Sequence, residues 1–107
     1  MARSTTGNRT DKDLVRVREM LADYQANHPD ADVHVKRQNS VSIRVRIIDP
    51  DFDDKDRVER DAEVWELLDH LPSELQSQIT MLLLLTPEEM GTSLANQEFE
   101  HPIRSRL

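Results

Sequence analysis

The sequence contains no cysteine and only two glycines in 107 residues, with one tryptophan, one tyrosine and two phenylalanines. The lack of cysteine excludes disulfides, thiolate nucleophiles and cysteine-ligated zinc or iron–sulfur centres within this chain. The glycines, Gly7 and Gly91, do not form the Gly-x-x-Gly loop with which KH domains clamp an RNA backbone. The one tryptophan is expected in the core, so no aromatic platform for stacking bases is predicted.

Long apolar runs are also missing. The longest, from Met81 to Leu85, has five residues, whereas a helix that crosses a bilayer needs about 20. The first ten residues, "MARSTTGNRT", contain no apolar segment of a secretory signal. A cytoplasmic protein that does not contact membranes is therefore expected.

Acidic residues are abundant, and they are concentrated in one segment. The formal net charge of the chain is −7. Ten acidic and three basic residues lie between Asp49 and Asp69, so this segment alone carries a charge of −7. A negative field of this kind repels phosphate backbones and favours solubility.

Apolar periodicity predicts a helix and a hairpin in the first half of the chain. Residues 1–9 have no periodicity and are predicted to be a disordered tail. A helix is predicted from the N-cap Thr10 to about Asn27, before Pro29. The spacing then changes to two, which predicts an antiparallel hairpin that turns at "RQNS". The apolar residues of this hairpin are Val33, Val35, Val41, Ile43, Val45 and Ile47.

The second half begins with a predicted helix over residues 55–71. Its apolar stripe consists of Val58, Ala62, Trp65 and Leu68. Pro72 ends this helix or opens a short second one. The stretch "ITMLLLLT" predicts a strand that is covered on both faces or lies inside the sheet. Thr86-Pro87-Glu88-Glu89 has the pattern of a capped helical turn. Residues 91–107 are predicted to form a polar C-terminal tail with the isolated anchors Leu94, Phe99 and Ile103.

This order of elements predicts a single α+β domain over residues 10–90. The hairpin supplies two antiparallel strands, and the strand–helix–strand connection that follows implies a parallel, right-handed crossover. We therefore expect a three-stranded mixed sheet with helices packed on one face.

The same order, and the residues that carry it, resemble the BolA-like family, which has the fold of class II KH domains. The resemblance extends from about Leu14 to Glu89 and is strongest in "SIRVRIIDPDFDDKDRVERDAEVWELL". Its final part is the apolar strand that runs into Thr-Pro-Glu-Glu. The residues at matching places in the strongest part are Ile43, Val45, Ile47, Phe52, Val58, Arg60 and Trp65.

The sequence departs from the family pattern at several positions. Asp54 stands where the family usually has glycine, and Arg60-Asp61-Ala62 replaces its arginine–histidine–arginine run. Gln78 aligns with the family histidine that can bind a shared iron–sulfur cluster, and the hairpin loop offers neither cysteine nor histidine. The resemblance therefore implies the fold but no cofactor.

The stretch "IIDPDFDDKD" raises the question of a calcium site. An EF-hand loop that starts at Asp49 would place acids at its first, third and fifth positions. Asp54 and Arg60 then occupy the positions that require glycine and a bidentate glutamate. We instead expect the end of a strand, a turn anchored by Phe52 and an acidic helix N-terminus, where the helix dipole favours anions.

No catalytic or metal constellation is predicted elsewhere. Glu59, Glu63 and Glu66 lie on one helical stripe, but no nucleophile is near them in the pattern, so a solvated face is expected. The histidines do not show metal-ligand spacing such as i, i+4. They are His28, His34, His70 and His101.

The hairpin carries the candidate binding residues, Lys36, Arg37, Arg44 and Arg46, and residues 33–48 contain no acid. Three interpretations remain open: an ordinary solvated sheet face, a binding surface for an acidic partner, or a nucleic-acid contact. We expect Arg44 and Arg46 to share one face with Lys36. The apolar strand also leaves the second face of the sheet to be covered, either by the C-terminal tail through Phe99 and Ile103 or by a second copy of the chain.

These observations predict a non-catalytic interaction or regulatory adaptor that binds a protein partner and is a monomer or a weak homodimer. The alternative is a KH-like module that binds RNA or the ribosome through the basic hairpin face. That alternative requires an affinity that depends on salt and falls on Arg44→Ala and Arg46→Ala.

Overall fold

The structure, a computed structural model, describes residues 11–102 of the chain. The predicted tail 1–9, the predicted N-cap Thr10 and the predicted anchor Ile103 lie outside these residues. None of the described helices is both long and apolar enough to cross a membrane. The regular elements are α1 (Lys12–Asn27), β1 (Asp32–Asn39), β2 (Ser42–Ile48), α2 (Arg57–Leu68), α3 (Ser73–Gln76), β3 (Ile79–Leu85) and α4 (Leu94–Glu100), with 3-10 helices at Pro50–Asp54 and Pro87–Gly91.

The strands form one mixed sheet in the order β1-β2-β3, which confirms the predicted fold class. β1 and β2 are antiparallel, with Val35 opposite Val45, and β2 and β3 are parallel, with Val45 beside Leu82. The predicted position of the hairpin turn was wrong. β1 continues to Asn39, and Val41 is 66% exposed in the turn rather than part of a strand. The Asn39 side chain accepts a hydrogen bond from the Val41 N–H (2.9 Å), a contact that stabilises turns.

One side of the sheet, the inner face, is covered by α1 and α2. Alternation along β2 directs Ile43, Val45 and Ile47 to this face, where all three are fully buried. The fully buried residues that pack with them include Val17 and Leu21 of α1, Val64 and Leu68 of α2, and Phe52. Burial of each such side chain contributes about 1.5–3 kcal/mol, so the inner face contains the apolar core of the domain.

α2 is shorter than predicted and directs a different stripe inward. It runs from Arg57 to Leu68 and begins with a capping box between Asp56 and Glu59. Val58, which was expected to start the apolar stripe, is 76% exposed. The buried residues of the helix are instead Arg60, Val64 and Leu68.

Arg60 lies inside because it satisfies several backbone groups. Its guanidinium donates to the carbonyl oxygens of Phe52 (2.8 Å) and Leu84 (3.0 Å). It also pairs with Glu89 (2.7 Å), which follows β3 in the capping box that begins at Thr86. One side chain thus joins the loop before α2 to the end of β3. Apolar periodicity does not predict it, because a buried arginine carries no hydrophobic signal.

The aspartate-rich stretch forms the turn that the sequence analysis favoured. Asp49 ends β2 and caps the first 3-10 helix by accepting from the Asp51 N–H (2.9 Å). Phe52 is fully buried, as predicted. Asp56, rather than Asp53 or Asp54, caps α2. Asp49 and Asp56 therefore cap helices, and Asp53 and Asp54 are exposed to solvent, so the stretch does not fold as an EF-hand loop.

Candidate functional site

The hairpin register places three basic side chains on the second side of the sheet, which we call the outer face. Lys36 of β1 stands opposite Arg44 of β2, and Arg46 lies two positions further along β2. Successive residues of a strand point to opposite sides. These three residues therefore lie opposite the inner-face residues of β2, on the shared face that was expected for them.

Arg37, the fourth candidate binding residue, lies elsewhere. Because it follows Lys36 directly, it points to the other side of β1, at the rim of the inner face. It holds the carboxylate of Asp11 with two hydrogen bonds (2.8 and 3.0 Å) and donates to the Gln78 side chain (3.0 Å). The Arg37 hydrogen bond lowers the pKa of Asp11. Arg37 thus attaches the start of α1 to the sheet, and it does not extend the outer face.

The outer face carries a helix, α4. The sequence predicted a polar tail here without secondary structure, with Phe99 as one of the residues that would cover this face. α4 brings acidic and amide side chains to the two arginines. Arg44 Nη1 lies 2.9 Å from Glu98 Oε2. Arg46 Nη1 donates to Asn96 Oδ1 (2.7 Å) and also pairs with Glu100. The basic face and α4 therefore have complementary charges.

Phe99 is the apolar anchor of α4. Its side chain is 2% exposed. The Lys36 Nζ lies 4.3 Å from the ring centroid and the Arg46 Cζ lies 4.6 Å from it. A cation over an aromatic ring is attracted by the ring quadrupole, by about 2 kcal/mol when both groups are desolvated. Phe99 thus contributes both apolar burial and recognition of the basic residues.

Burial makes Arg46 the centre of this site. It is 5% exposed, and a buried positive charge of this kind requires acidic or hydrogen-bonding partners. The Arg46 hydrogen bond lowers the pKa of Glu100, so this carboxylate stays ionised beside it. The Nε of Arg46 is nevertheless buried without a hydrogen-bond partner among the described residues. An unmatched buried donor is costly, so an acceptor placed beside this Nε would strengthen the site.

Sequence reasoning identified part of this arrangement. Phe99 was named as an anchor, whereas Asn96, Glu98 and Glu100 were not assigned any role. The segment "NQEFE", in which two acids flank an aromatic residue, is the sequence pattern that could have indicated this contact. Its significance appears only when it is set beside a basic face about 50 residues earlier in the chain.

One group within residues 11–102 has the composition of a metal site. His28, Asp49 and Asp51 each offer a ligand atom, and these atoms lie within 4.8 Å of one another. The sequence predicted no metal ligands, because these residues are far apart in the chain and show no helical spacing.

No protein-family model matches the sequence, and no curated protein matches it. Among solved structures, the chain is similar to BolA1 from Arabidopsis thaliana, with 22% sequence identity and a TM-score of 0.49. The alignment covers 74% of this chain and 96% of that one. That protein bears the name of the family that the sequence resembles. Nothing about partners or cofactors follows from a likeness at this level.

Proposed function

We propose that this protein is a non-catalytic interaction or regulatory adaptor whose outer face binds an acidic segment of a protein partner. The observation that supports this is the fit between two parts of the same chain. Lys36, Arg44 and Arg46 hold the segment Glu98-Phe99-Glu100 through ion pairs and cation–π contacts. A partner helix that carries an aromatic residue between acids would meet the same side chains.

The way in which α4 is attached makes it exchangeable. The helix has seven residues, and isolated helices shorter than about 12–15 residues are marginal in water. Its first residue, Leu94, is 79% exposed, and Phe99 is its only buried apolar side chain. A partner segment that also satisfied the buried Nε of Arg46 would gain a contact that α4 does not make.

No observation favours the nucleic-acid alternative. Arg44 and Arg46 are paired with acids of the chain itself, and the protein carries a net charge of −7. A phosphate backbone would have to displace these acids and approach against that charge. Binding of RNA would appear in the experiments below as crosslinked adducts that nuclease removes.

The test uses a synthetic peptide with the sequence of residues 92–102, TSLANQEFEHP, as a probe. The full chain with Phe99→Ala should bind this peptide about ten-fold more tightly than the wild type. The reason is that α4 no longer competes for the face. Adding Arg46→Gln to that variant should abolish the gain, whereas adding Arg57→Gln, an exposed arginine on α2, should leave it unchanged. Calorimetry gives the affinities.

A second experiment, photo-crosslinking in the cell of origin, distinguishes a protein partner from a nucleic-acid partner. A photo-crosslinking residue in place of Lys36 should yield protein adducts that persist after nuclease treatment and disappear with Arg46→Gln. The same residue in place of Arg57 is the matched control. Equal binding of the probe peptide by all variants, or adducts that nuclease removes, would contradict the proposal. The latter result would support the RNA alternative.

A further inference from the structure

His28 meets the aspartate-rich turn at one edge of the domain. It follows α1 directly as the C-cap of that helix. Asp49 and Asp51 lie at the end of β2 and in the following 3-10 helix. Because α1 packs on the inner face, its C-terminal end and this turn come together, although about 20 residues separate them in sequence.

The atoms of these three side chains are spaced as ligands of one ion. The Nδ1 of His28 lies 3.1 Å from Asp49 Oδ2 and 3.2 Å from Asp51 Oδ2. Neighbouring ligand atoms around a divalent ion are about 3.0–3.4 Å apart when each bond to the metal is about 2.0–2.1 Å long. The third separation, between the two carboxylate oxygens, is at most 4.8 Å, so an ion that lies between the three atoms would draw these two oxygens together.

Other residues hold two of the ligands in place. Asp49 is 1% exposed and accepts a hydrogen bond from the Tyr24 hydroxyl (2.6 Å). Burial and this hydrogen bond raise the pKa of Tyr24, so its hydroxyl remains a donor. The imidazole of His28 stacks on the Tyr24 ring, with centroids 4.0 Å apart and planes 6° from parallel.

The second nitrogen of His28 also has a carboxylate partner. Its Nε2 lies 3.5 Å from Glu63 Oε2. Histidines that bind metals usually donate the other ring N–H to a carboxylate, carbonyl or water, which leaves the ligating nitrogen unprotonated. Without an ion, Nδ1 donates to Asp51 (3.2 Å). An ion would displace that proton, and Glu63 is placed to accept from the Nε2–H that remains.

The charge around His28 matches a divalent cation. Asp49, Asp51 and Glu63 bring three negative charges to the His28 side chain. Among the described ion pairs, the base that reaches this group is Lys55, whose Nζ lies 3.4 Å from Glu63 Oε1. Two negative charges remain, which is the charge that one divalent ion neutralises.

We propose that His28, Asp49 and Asp51 form a binding site for a divalent first-row transition-metal ion of the zinc or cobalt type. An imidazole with two carboxylates suits such ions, whereas calcium and magnesium prefer all-oxygen sites. Asp51, whose side chain is 65% exposed, gives the ion access from solvent. The ion would join the end of α1 to the turn after β2, and this proposal is independent of the partner proposed for the outer face.

The test measures Zn²⁺ binding to the full chain by calorimetry at neutral pH and physiological salt. Asp51→Asn and His28→Gln should each weaken binding at least about ten-fold. Asp54→Asn removes a neighbouring exposed carboxylate, and His70→Gln removes an exposed histidine. Both control variants should retain the wild-type affinity. Because Asp51 is exposed, its variant remains informative even if His28→Gln destabilises the fold.

Two spectroscopic readouts distinguish a metal site from a protonated histidine that bridges carboxylates. On addition of Zn²⁺, the ¹⁵N resonance of His28 Nδ1 should shift to the range of a metal-bound nitrogen, and Co²⁺ should give a visible absorption band that Asp51→Asn removes. Retention of a proton on Nδ1 at saturating Zn²⁺ would overturn the proposal. Calcium binding as tight as zinc binding and insensitive to His28→Gln would overturn it as well, because it would show only a cluster of acids.

Discussion

The two faces of the sheet are covered by the same chain in different ways. The inner face is covered by α1 and α2 over Ile43, Val45 and Ile47, which are fully buried. The outer face is covered by the seven-residue α4, through one aromatic ring and ion pairs with Arg44 and Arg46. Apolar burial is strong and non-directional, whereas partly exposed ion pairs contribute about 0–1 kcal/mol each. The inner cover is thus part of the fold, and we expect the outer cover to be exchangeable.

The largest effect is expected inside the inner core. Phe52→Ala should lower the free energy of unfolding by about 3–5 kcal/mol, because it leaves a cavity where a fully buried ring was. Denaturant titration measures the loss. Val58→Ala, at a position that is 76% exposed, should change the stability by less than about 0.5 kcal/mol. A loss of more than about 1 kcal/mol for Val58→Ala would instead show that this residue faces the core, as the sequence pattern suggested.

A smaller loss is expected for Arg60→Met. This substitution preserves the apolar bulk but removes the donor to the Leu84 carbonyl and the ion-pair partner of Glu89. The Phe52 carbonyl keeps its hydrogen bond from the Lys55 N–H (3.0 Å). We expect a loss of about 2–3 kcal/mol in the free energy of unfolding, because unsatisfied buried polar groups are costly. Arg57→Met, at the exposed start of α2, is the matched control and should be nearly neutral. Stabilisation by Arg60→Met would contradict the role given to this side chain.

Phe99→Ala should cost less than Phe52→Ala, although both rings are buried. The loss is limited because α4 can leave the sheet while the inner core stays folded. We expect about 1 kcal/mol in the free energy of unfolding. Hydrogen exchange should show lost protection of the α4 amides and unchanged protection of β2. A loss as large as that of Phe52→Ala would mean that both faces belong to one cooperative core.

The smallest effect concerns acid stability. Hydrogen bonds from Arg60 and from the Thr86 N–H lower the pKa of Glu89 below its usual value of 4.5. Its contribution to stability is therefore complete above about pH 4.5 and is lost as the pH falls through the lowered pKa. Unfolding measured at about pH 6 and about pH 3 should show a smaller difference for Glu89→Gln than for the wild type. Glu88→Gln, at an exposed neighbour, should behave as the wild type does.

The sequence predicted the inner face well because its signals are local. The alternation of Ile43, Val45 and Ile47 and the buried stripe of α1 follow from spacing within one element. The sequence did not predict that Arg60 points inward. The carbonyls and the carboxylate that bind its guanidinium lie 8 to 29 residues away in the chain. The contact of Arg44 with Glu98 spans 54 residues, and no periodicity encodes such a pair.

Paramagnetic relaxation would show whether α4 covers the outer face and whether a peptide displaces it from that face. The chain has no cysteine, so a spin label on Gln97→Cys, at an exposed position of α4, would be unique. We predict strong broadening of the amide signals around Lys36 and Arg46, and recovery of those signals when the TSLANQEFEHP peptide is added in excess. Sharp signals for both residues before any peptide is added would show that α4 does not lie on the outer face.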